Sequence, residues 1–320
     1  MRARSAWLLL PSVVCLPAAA AVAASPAWWV FELFDHWAHI VAGGVALAAG
    51  AAALGRRRVA AALDLAAAAA LAWYVAGAFT APTRTPAADA SGLPIVVACA
   101  NLAYFNRDAS RLVAWIAAEA PDVVVALEAT DAHRRALAPA LQGHPHRAHV
   151  DSEHEAGNLS VYSRFPLVDV QDRIPGGPLP LLEGSLDTPG GEVAFVALHA
   201  FPPLGGAERA WNRDVLDHAA RRARRAAEAG RPCVVVGDFN ASPWSRPFRA
   251  FEAAAGVAHA RRGRGLAPTW PVVGALSRVG LPIDHVCASA DVAVEGFDVG
   301  DGFGSDHRPI VARLRLRRAR

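Results

Sequence analysis

The chain has 320 residues, 53% of them hydrophobic, and a formal net charge of +3, long enough for one sizeable domain and something smaller. Every one of the 32 basic residues is arginine, so the positive balance reads as a compositional habit and carries little weight as a sign of nucleic acid. The four cysteines show no CxxC spacing, which excludes a zinc set; Cys99, Cys233 and Cys287 sit inside apolar strand patterns as packing residues.

The smaller part is N-terminal. Ala6 to Ala24, Trp37 to Leu54 and Val59 to Phe79 are apolar stretches, each near the roughly 20 residues that span a bilayer, and Asp64 is the charged residue within them. Trp28, Trp29, Phe31, Phe34 and Trp37, then Trp73 and Tyr74, cluster near stretch ends as interfacial belts do. Residues 1–80 are therefore expected to form a membrane anchor of about three helices. Arg2, Arg4 and Arg56 to Arg58 would stay on the cytoplasmic side, which puts the remainder of the chain outside, as a multi-pass membrane protein. A cleaved signal peptide over residues 1–24 is the competing reading, and it leaves the topology of the later residues unchanged. Residues 81–92, rich in Pro, Thr, Ala and Ser, form a linker.

From residue 93 to 320 the pattern is strand and helix with short connections. Ile95 to Ala100 is a strand ending in Asn101. Arg111 to Ala120 is a helix closed by Pro121, and the strand Asp122 to Leu127 ends in Glu128. A second helix comes near Asp131 to Leu141, and His144 to Glu155 is expected to be an exposed loop despite its four histidines. Gly157 to Pro166 holds a short strand, Pro175 to Pro180 a turn, and Leu181 to Thr188 pairs with Glu192 to His199 as a hairpin around Pro189-Gly190-Gly191. Ala207 to Ala229 is a helix capped by Gly230, leading to the buried strand Cys233 to Val236 and then Gly237, Asp238 and Asn240. Trp244 to Ala255 is helical; a Gly/Arg loop reaches Thr269-Trp270-Pro271; Ile283 to Ser289 is a strand carrying Asp284 and His285. A loop then runs to Gly304, and Ser305-Asp306-His307 precedes the last strand, Pro309 to Leu314.

Apolar strands that each carry one Asn, Glu, His or Asp at an end converge if they lie side by side in one sheet, and the point of convergence is an acidic, His-containing cleft. Asp238 comes after its strand whereas Asp306 and His307 precede theirs, so those strands run antiparallel. The sheet is then mixed, and a doubly wound parallel fold is disfavoured.

The ordered set Asn101, Glu128, His199, GDFN at Gly237 to Asn240, IDH at Ile283 to His285 and SDHRP at Ser305 to Pro309 resembles the endonuclease/exonuclease/phosphatase superfamily, the DNase I-like fold, over about residues 93–316. The resemblance implies an α/β fold of two mixed β-sheets packed face to face with flanking helices, a four-layer sandwich, here preceded by the transmembrane anchor. It implies a divalent metal, Mg²⁺ with Mn²⁺ as substitute, on Glu128 with Asn101 and Asp306 near it. It further implies that Asp238 and Asn240 contact the scissile phosphate, that Asp284 holds His307 as general base or phosphate stabiliser, and that His199 is the second phosphate-side histidine. A purely structural role stays open for Asn101 and His285. The partner is a phosphodiester or phosphomonoester, either nucleic acid or a lipid head group, and a binding module without activity is the reading from another class.

Overall fold

The computed structural model describes residues 10–25, 28–80, 92–173 and 181–316. Arg2, Arg4, the expected linker up to residue 91, the Pro175 to Pro180 turn and the last four residues lie outside them. The chain divides into two compact units: one holds the N-terminal 80 residues, with Pro203–Gly206 and Trp244–Arg246 grouped alongside, and the other holds the rest.

The first unit is helical: α1 (Leu10–Ala23), α2 (Trp29–His36), α3 (Ala38–Leu54) and α4 (Arg58–Ala76). Ala48, Ala49, Ala52 and Ala68 are buried with Val45, Leu71 and Val75, while Leu47, Leu54, Val59, Leu63, Leu65 and Trp73 are exposed. The small residues let helix backbones approach closely. Asp64 is buried on α4, and its carboxylate accepts from the Ser12 hydroxyl at 2.6 Å. The helices differ from the three expected spans. Among the described residues, α4 alone is by itself long and apolar enough to cross a bilayer; α2 and α3 would count as one broken span, bent by 74°. Of α1, the 14 residues Leu10–Ala23 are described. The aromatic cluster expected as an interfacial belt is the amphipathic helix α2, because Glu32, Asp35 and His36 share it with Trp29, Phe31 and Phe34.

The second unit is an α/β sandwich. Its elements are β1 (Leu93–Asn101), α5 (Ser110–Glu119), β2 (Val123–Leu127), α6 (Asp131–Leu137), β3 (His146–Val150), β4 (Leu159–Ser163), β5 (Leu167–Arg173), β6 (Leu181–Thr188), β7 (Gly191–His199), α7 (Gly206–Glu228), β8 (Cys233–Asp238), α8 (Arg246–Ala255), β9 (Val257–His259), β10 (Asp284–Ser289), β11 (Val292–Val299) and β12 (Ile310–Leu316). They build two six-stranded sheets, ordered β11-β12-β1-β2-β4-β3 and β5-β6-β7-β8-β10-β9. Each is mixed: β1 runs parallel to β2 and antiparallel to β12, and β8 runs parallel to β7 and antiparallel to β10.

The period of two explains the layers. On β1, Ile95, Val97 and Cys99 face the other sheet, as do Val234 and Val236 on β8 and Val286 on β10; they form the central core. The alternate residues Ala98 and Ala100 pack with Leu112 and Ile116 of α5 on one outer face, and Cys233 and Val235 pack under α7 and α8 on the other. The strands are thus apolar on both faces, which is why they read as continuous runs. The three cysteines of this unit are buried, as expected, and all three are free.

Four expectations need correction. The strands that carry the polar residues do not share one sheet; three of them belong to each, and the cleft forms where the two sheets' strand ends meet. His144 to Glu155 is not an exposed loop, for it contains the edge strand β3, paired with β4, and His144 is buried with its Nε2 donating to the Pro121 carbonyl at 2.9 Å. The stretch before Gly304 contains β11, paired with β12 around a bulge near Glu295. Neither β5 nor β9 was expected; both are edge strands, whose polar outer positions hide the alternation.

Candidate active site

Two glycine-permissive backbone features set the strand ends. Gly237 has φ +152°, and a Cβ there would lie 1.8 Å from the Leu198 carbonyl oxygen of β7, so β8 meets β7 as closely as it does only through the missing side chain. Glu128 and Asn240, just past β2 and β8, take positive φ of 53° and 46°, turning the chain sharply so that both side chains stay at the sheet end.

The buried polar residues then meet. Asn101 donates through Nδ2 to Glu128 Oε1 at 3.0 Å and to Asp238 Oδ2 at 3.3 Å, and its Oδ1 accepts from the Ala103 amide at 3.0 Å. The other Glu128 oxygen accepts from the Tyr104 amide at 3.1 Å. Asp238 and Asp284 are cross-strand partners on β8 and β10, and Asp238 Oδ1 accepts from the Asn240 amide at 2.8 Å. The Asn240 carboxamide is pinned by its Nδ2, which donates to the Ala200 carbonyl at 2.9 Å.

The two histidines are held in the same way. His307 Nδ1–H donates to Asp284 Oδ2 at 2.9 Å, and His199 Nδ1–H donates to the Ala156 carbonyl at 3.0 Å. Both therefore turn Nε2 inward, each 3.7 Å from Asp238 Oδ2, with His199 Nε2 also 3.9 Å from Glu128 Oε1. Their charge states diverge. Burial opposes a charge on His307, but Asp284 and Asp238 override it and raise its pKa to about 10. Burial dominates at His199, lowering its pKa and favouring the neutral ring despite Glu128. Burial, then the Asp284 charge, pushes Asp238 up to about 8.

Asp306 is half-buried, and its Oδ2 accepts from the indole of Trp270 at 3.1 Å. Ser305 ties the approach to β12 to the end of β1: its hydroxyl donates to the Asn101 carbonyl at 2.7 Å and accepts from the His307 amide at 3.0 Å. Thr269 Oγ1 accepts from the Ile283 and Asp284 amides and so caps the start of β10. Sequence reasoning passed over these positioning roles of Thr269, Trp270, Ser305 and the Ala156 carbonyl; the Thr269-Trp270-Pro271 punctuation of a Gly/Arg loop was the available signal for the first two. His285 has no part in the cleft. It is buried against Phe239 and Phe248 and bonds the Ala241 carbonyl at 2.9 Å, while burial, then Arg261 and His259, holds its pKa far below the usual value.

Three carboxylates, Glu128, Asp238 and Asp284, and two imidazoles meet in a chain without lysine. The buried oxygen Asp284 Oδ1 has no hydrogen-bond partner, and hard oxygen donors of this kind suit a divalent cation. Ligand-type atoms of Asp238, Asp284 and His307 lie within 4.8 Å of one another, a different trio from the expected Asn101, Glu128 and Asp306. In that trio, however, Asp284 and His307 already bind each other. Glu128, 14% exposed at its side chain, is the more open carboxylate. Asn101, oriented as it is, spaces Glu128 from Asp238 as a donor.

A family model described as the endonuclease/exonuclease/phosphatase family matches residues 98–307. Among solved structures, an endonuclease/exonuclease/phosphatase from Beutenbergia cavernae is similar with 27% identity and a TM-score of 0.57, over 70% of this chain and 72% of that one. A mannosyl-6-phosphatase from Bacteroides thetaiotaomicron (17% identity, TM-score 0.56, 69% and 99% covered) and sphingomyelinase C from Streptomyces griseocarneus (16%, 0.51, 69% and 99%) share the fold. No curated protein matches the sequence. Because that family model covers residues 98–307, about two thirds of the chain, this protein belongs to the endonuclease/exonuclease/phosphatase family.

Proposed function

We propose that the protein is a membrane-anchored phosphoester hydrolase that cleaves phosphodiesters with the help of a divalent metal, Mg²⁺ or Mn²⁺. The observation that carries this is the convergence of Asn101, Glu128, His199, Asp238, Asp284 and His307 from the ends of two sheets into one buried cluster. Glu128 would hold the metal, with Asn101 and Asp306 beside it. The metal would supply polarisation of a phosphoryl oxygen and stabilisation of the leaving oxyanion. His307, charged through Asp284, presents an Nε2–H that binds and neutralises a phosphate oxygen. His199, neutral with its Nδ1–H on the Ala156 carbonyl, turns an unprotonated Nε2 to the phosphate side, where it accepts from the attacking water or a hydroxyl of the ester. Asp238 and Asn240, locked to each other, orient the water or leaving group.

The test is hydrolysis of bis(p-nitrophenyl) phosphate by the full chain in detergent, and then of DNA, RNA, sphingomyelin and phosphoinositides. Glu128→Gln keeps the shape and removes the charge, so Mg²⁺ should bind more weakly and turnover should fall with little loss of thermal stability. Full activity in excess chelator would rule the metal out. The apolar helical unit favours a second reading, hydrolysis of lipid head groups, and sphingomyelin or phosphoinositide turnover above that of nucleic acid would select it.

Anchoring rests on the outward Leu47, Leu54, Leu63 and Trp73 and on α4, whose apolar window is only 22% buried. Orientation rests on Arg56 to Arg58 between α3 and α4: whether α1 spans or not, that loop on the cytoplasmic side leaves the residues after α4 outside. An alkaline phosphatase fused after Leu93 should be active. A glowing green fluorescent protein fusion at that site with a silent phosphatase would reverse the orientation.

A further inference from the structure

Beside the cluster lies an open cavity of about 460 Å³ whose lining includes Tyr104, Phe105, Arg107, Arg135, His133 and Glu155. Its walls are extensions of the site. The Tyr104 amide binds Glu128, Thr130 lies two residues after Glu128, and Glu155 precedes the Ala156 carbonyl that fixes His199. A group bonded to a phosphate in the cluster has this cavity within reach.

The cavity is built in advance. His133 is buried; its Nδ1 accepts from the Thr130 amide at 3.3 Å, so Nε2 carries the proton and donates to the Asn106 carbonyl at 2.7 Å. That bond ties the loop after β1 to the start of α6 and holds the aromatic wall. Tyr104 and Phe105 are 47% and 55% exposed and pack edge to face, 5.5 Å apart at 82°. A single exposed ring needs no explanation, but two rings packed together on one cavity wall offer an aromatic face to a ligand.

The walls carry two guanidinium groups, Arg107 and Arg135, beside the carboxylates of Asp131 and Glu155. Asp131 is engaged by Arg134, which also binds Asp151, at 2.6 Å each, whereas Arg107 and Arg135 make no ion pair among the described residues and are open to a ligand. Guanidinium groups of this kind bind phosphate and carboxylate oxygens.

From these walls we infer that the cavity is a substrate subsite: it takes the part of the phosphoester beyond the scissile phosphate, a ring on Tyr104 and Phe105 carrying a second anionic group held by Arg107 and Arg135. This rests on the hydrolase reading above for its scissile phosphate. The ring is that of a nucleoside or of a sugar, and the arms of the test separate them.

The experiment is calorimetric titration of the full chain in detergent with Mg²⁺, in a His307→Ala background to stop turnover. The probes are thymidine 3′,5′-bisphosphate, thymidine 5′-monophosphate and glucose 1,6-bisphosphate. The second phosphate should tighten binding roughly tenfold, and Arg107→Ala with Arg135→Ala should abolish that difference. Tyr104→Ala with Phe105→Ala should weaken the thymidine probes if the ring is a base, and the hexose probe if it is a sugar. Equal affinity for the one-phosphate and two-phosphate nucleotides together with no hexose bisphosphate binding, or a preference that survives loss of both arginines, overturns the subsite. If bisphosphates bind through Arg107 and Arg135 while no ester is cleaved by the wild-type chain, the hydrolase reading fails and the anion pocket stands.

Discussion

His307→Ala should lower turnover of a phosphodiester by about 10²–10³-fold, the usual cost of removing one positioned donor to developing charge. The size comes from geometry. His307 Nδ1 is committed to Asp284, its Nε2 faces Asp238 from 3.7 Å, and the carboxylates around it hold the ring charged. Asp284→Asn removes the charge that favours the imidazolium, so it should lower the His307 pKa, visible in the ring's proton resonances, and reduce turnover as well. Stability carries the same dependence on pH. The folded pKa lies above the ordinary value of 6.5, so the pair's stabilisation is fully present below about 6.5 and is lost as pH rises through about 10. Residues acting as a unit are not additive, so the double variant should be barely worse than His307→Ala alone. Two losses that sum, in activation free energy, would mean the residues act independently and would sink the pairing. Retained turnover in His307→Ala would remove the residue from the chemistry altogether.

Gly237→Ala should damage folding itself. The added methyl would sit 1.8 Å from the Leu198 carbonyl oxygen, a backbone atom in the neighbouring parallel strand, so no side-chain rotation relieves the clash. Residue 237 also holds φ +152°, which L side chains rarely adopt. Strain and overpacking together cost about 3 kcal/mol or more. Relief requires β7 and β8 to part at Leu198 and Gly237, one residue before His199 and Asp238, so activity should fall in step with a drop in Tm. Gly143→Ala is the control, since a Cβ there meets nothing within 4 Å. Equal melting temperatures for Gly237→Ala and the wild-type chain would show that the close strand approach is unnecessary.

Much of this protein is local information. The runs Ile95 to Ala100, Asp122 to Leu127 and Cys233 to Val236 specify strands because β-branched and small apolar residues fill a surface buried on both faces, whatever the partner strand. The helix Arg111 to Ala120 ends where Ala120 turns to φ +46° before Pro121, again a short-range effect. The position of Asn101, Glu128, His199 and Asp238 at strand ends is local as well, and it made the cleft legible as a set of polar endings.

Which sheet each strand joins is not written in its own residues. Pairing is decided by which inner faces interdigitate, and the central core takes Val97, Val125, Val236, Val286 and Ile310 from both sheets at once. For that reason Asp284 and His307 meet across the sandwich, from β10 and the approach to β12, and not as neighbours in one sheet. The edge strands β3, β5, β9 and β11 were obscured because one side of each faces solvent or a loop, so packing at a distance supplies the order that their own alternation lacks. Asp238's raised pKa likewise has no counterpart in the sequence: burial and the distant Asp284 produce it, and only the folded chain brings the two together.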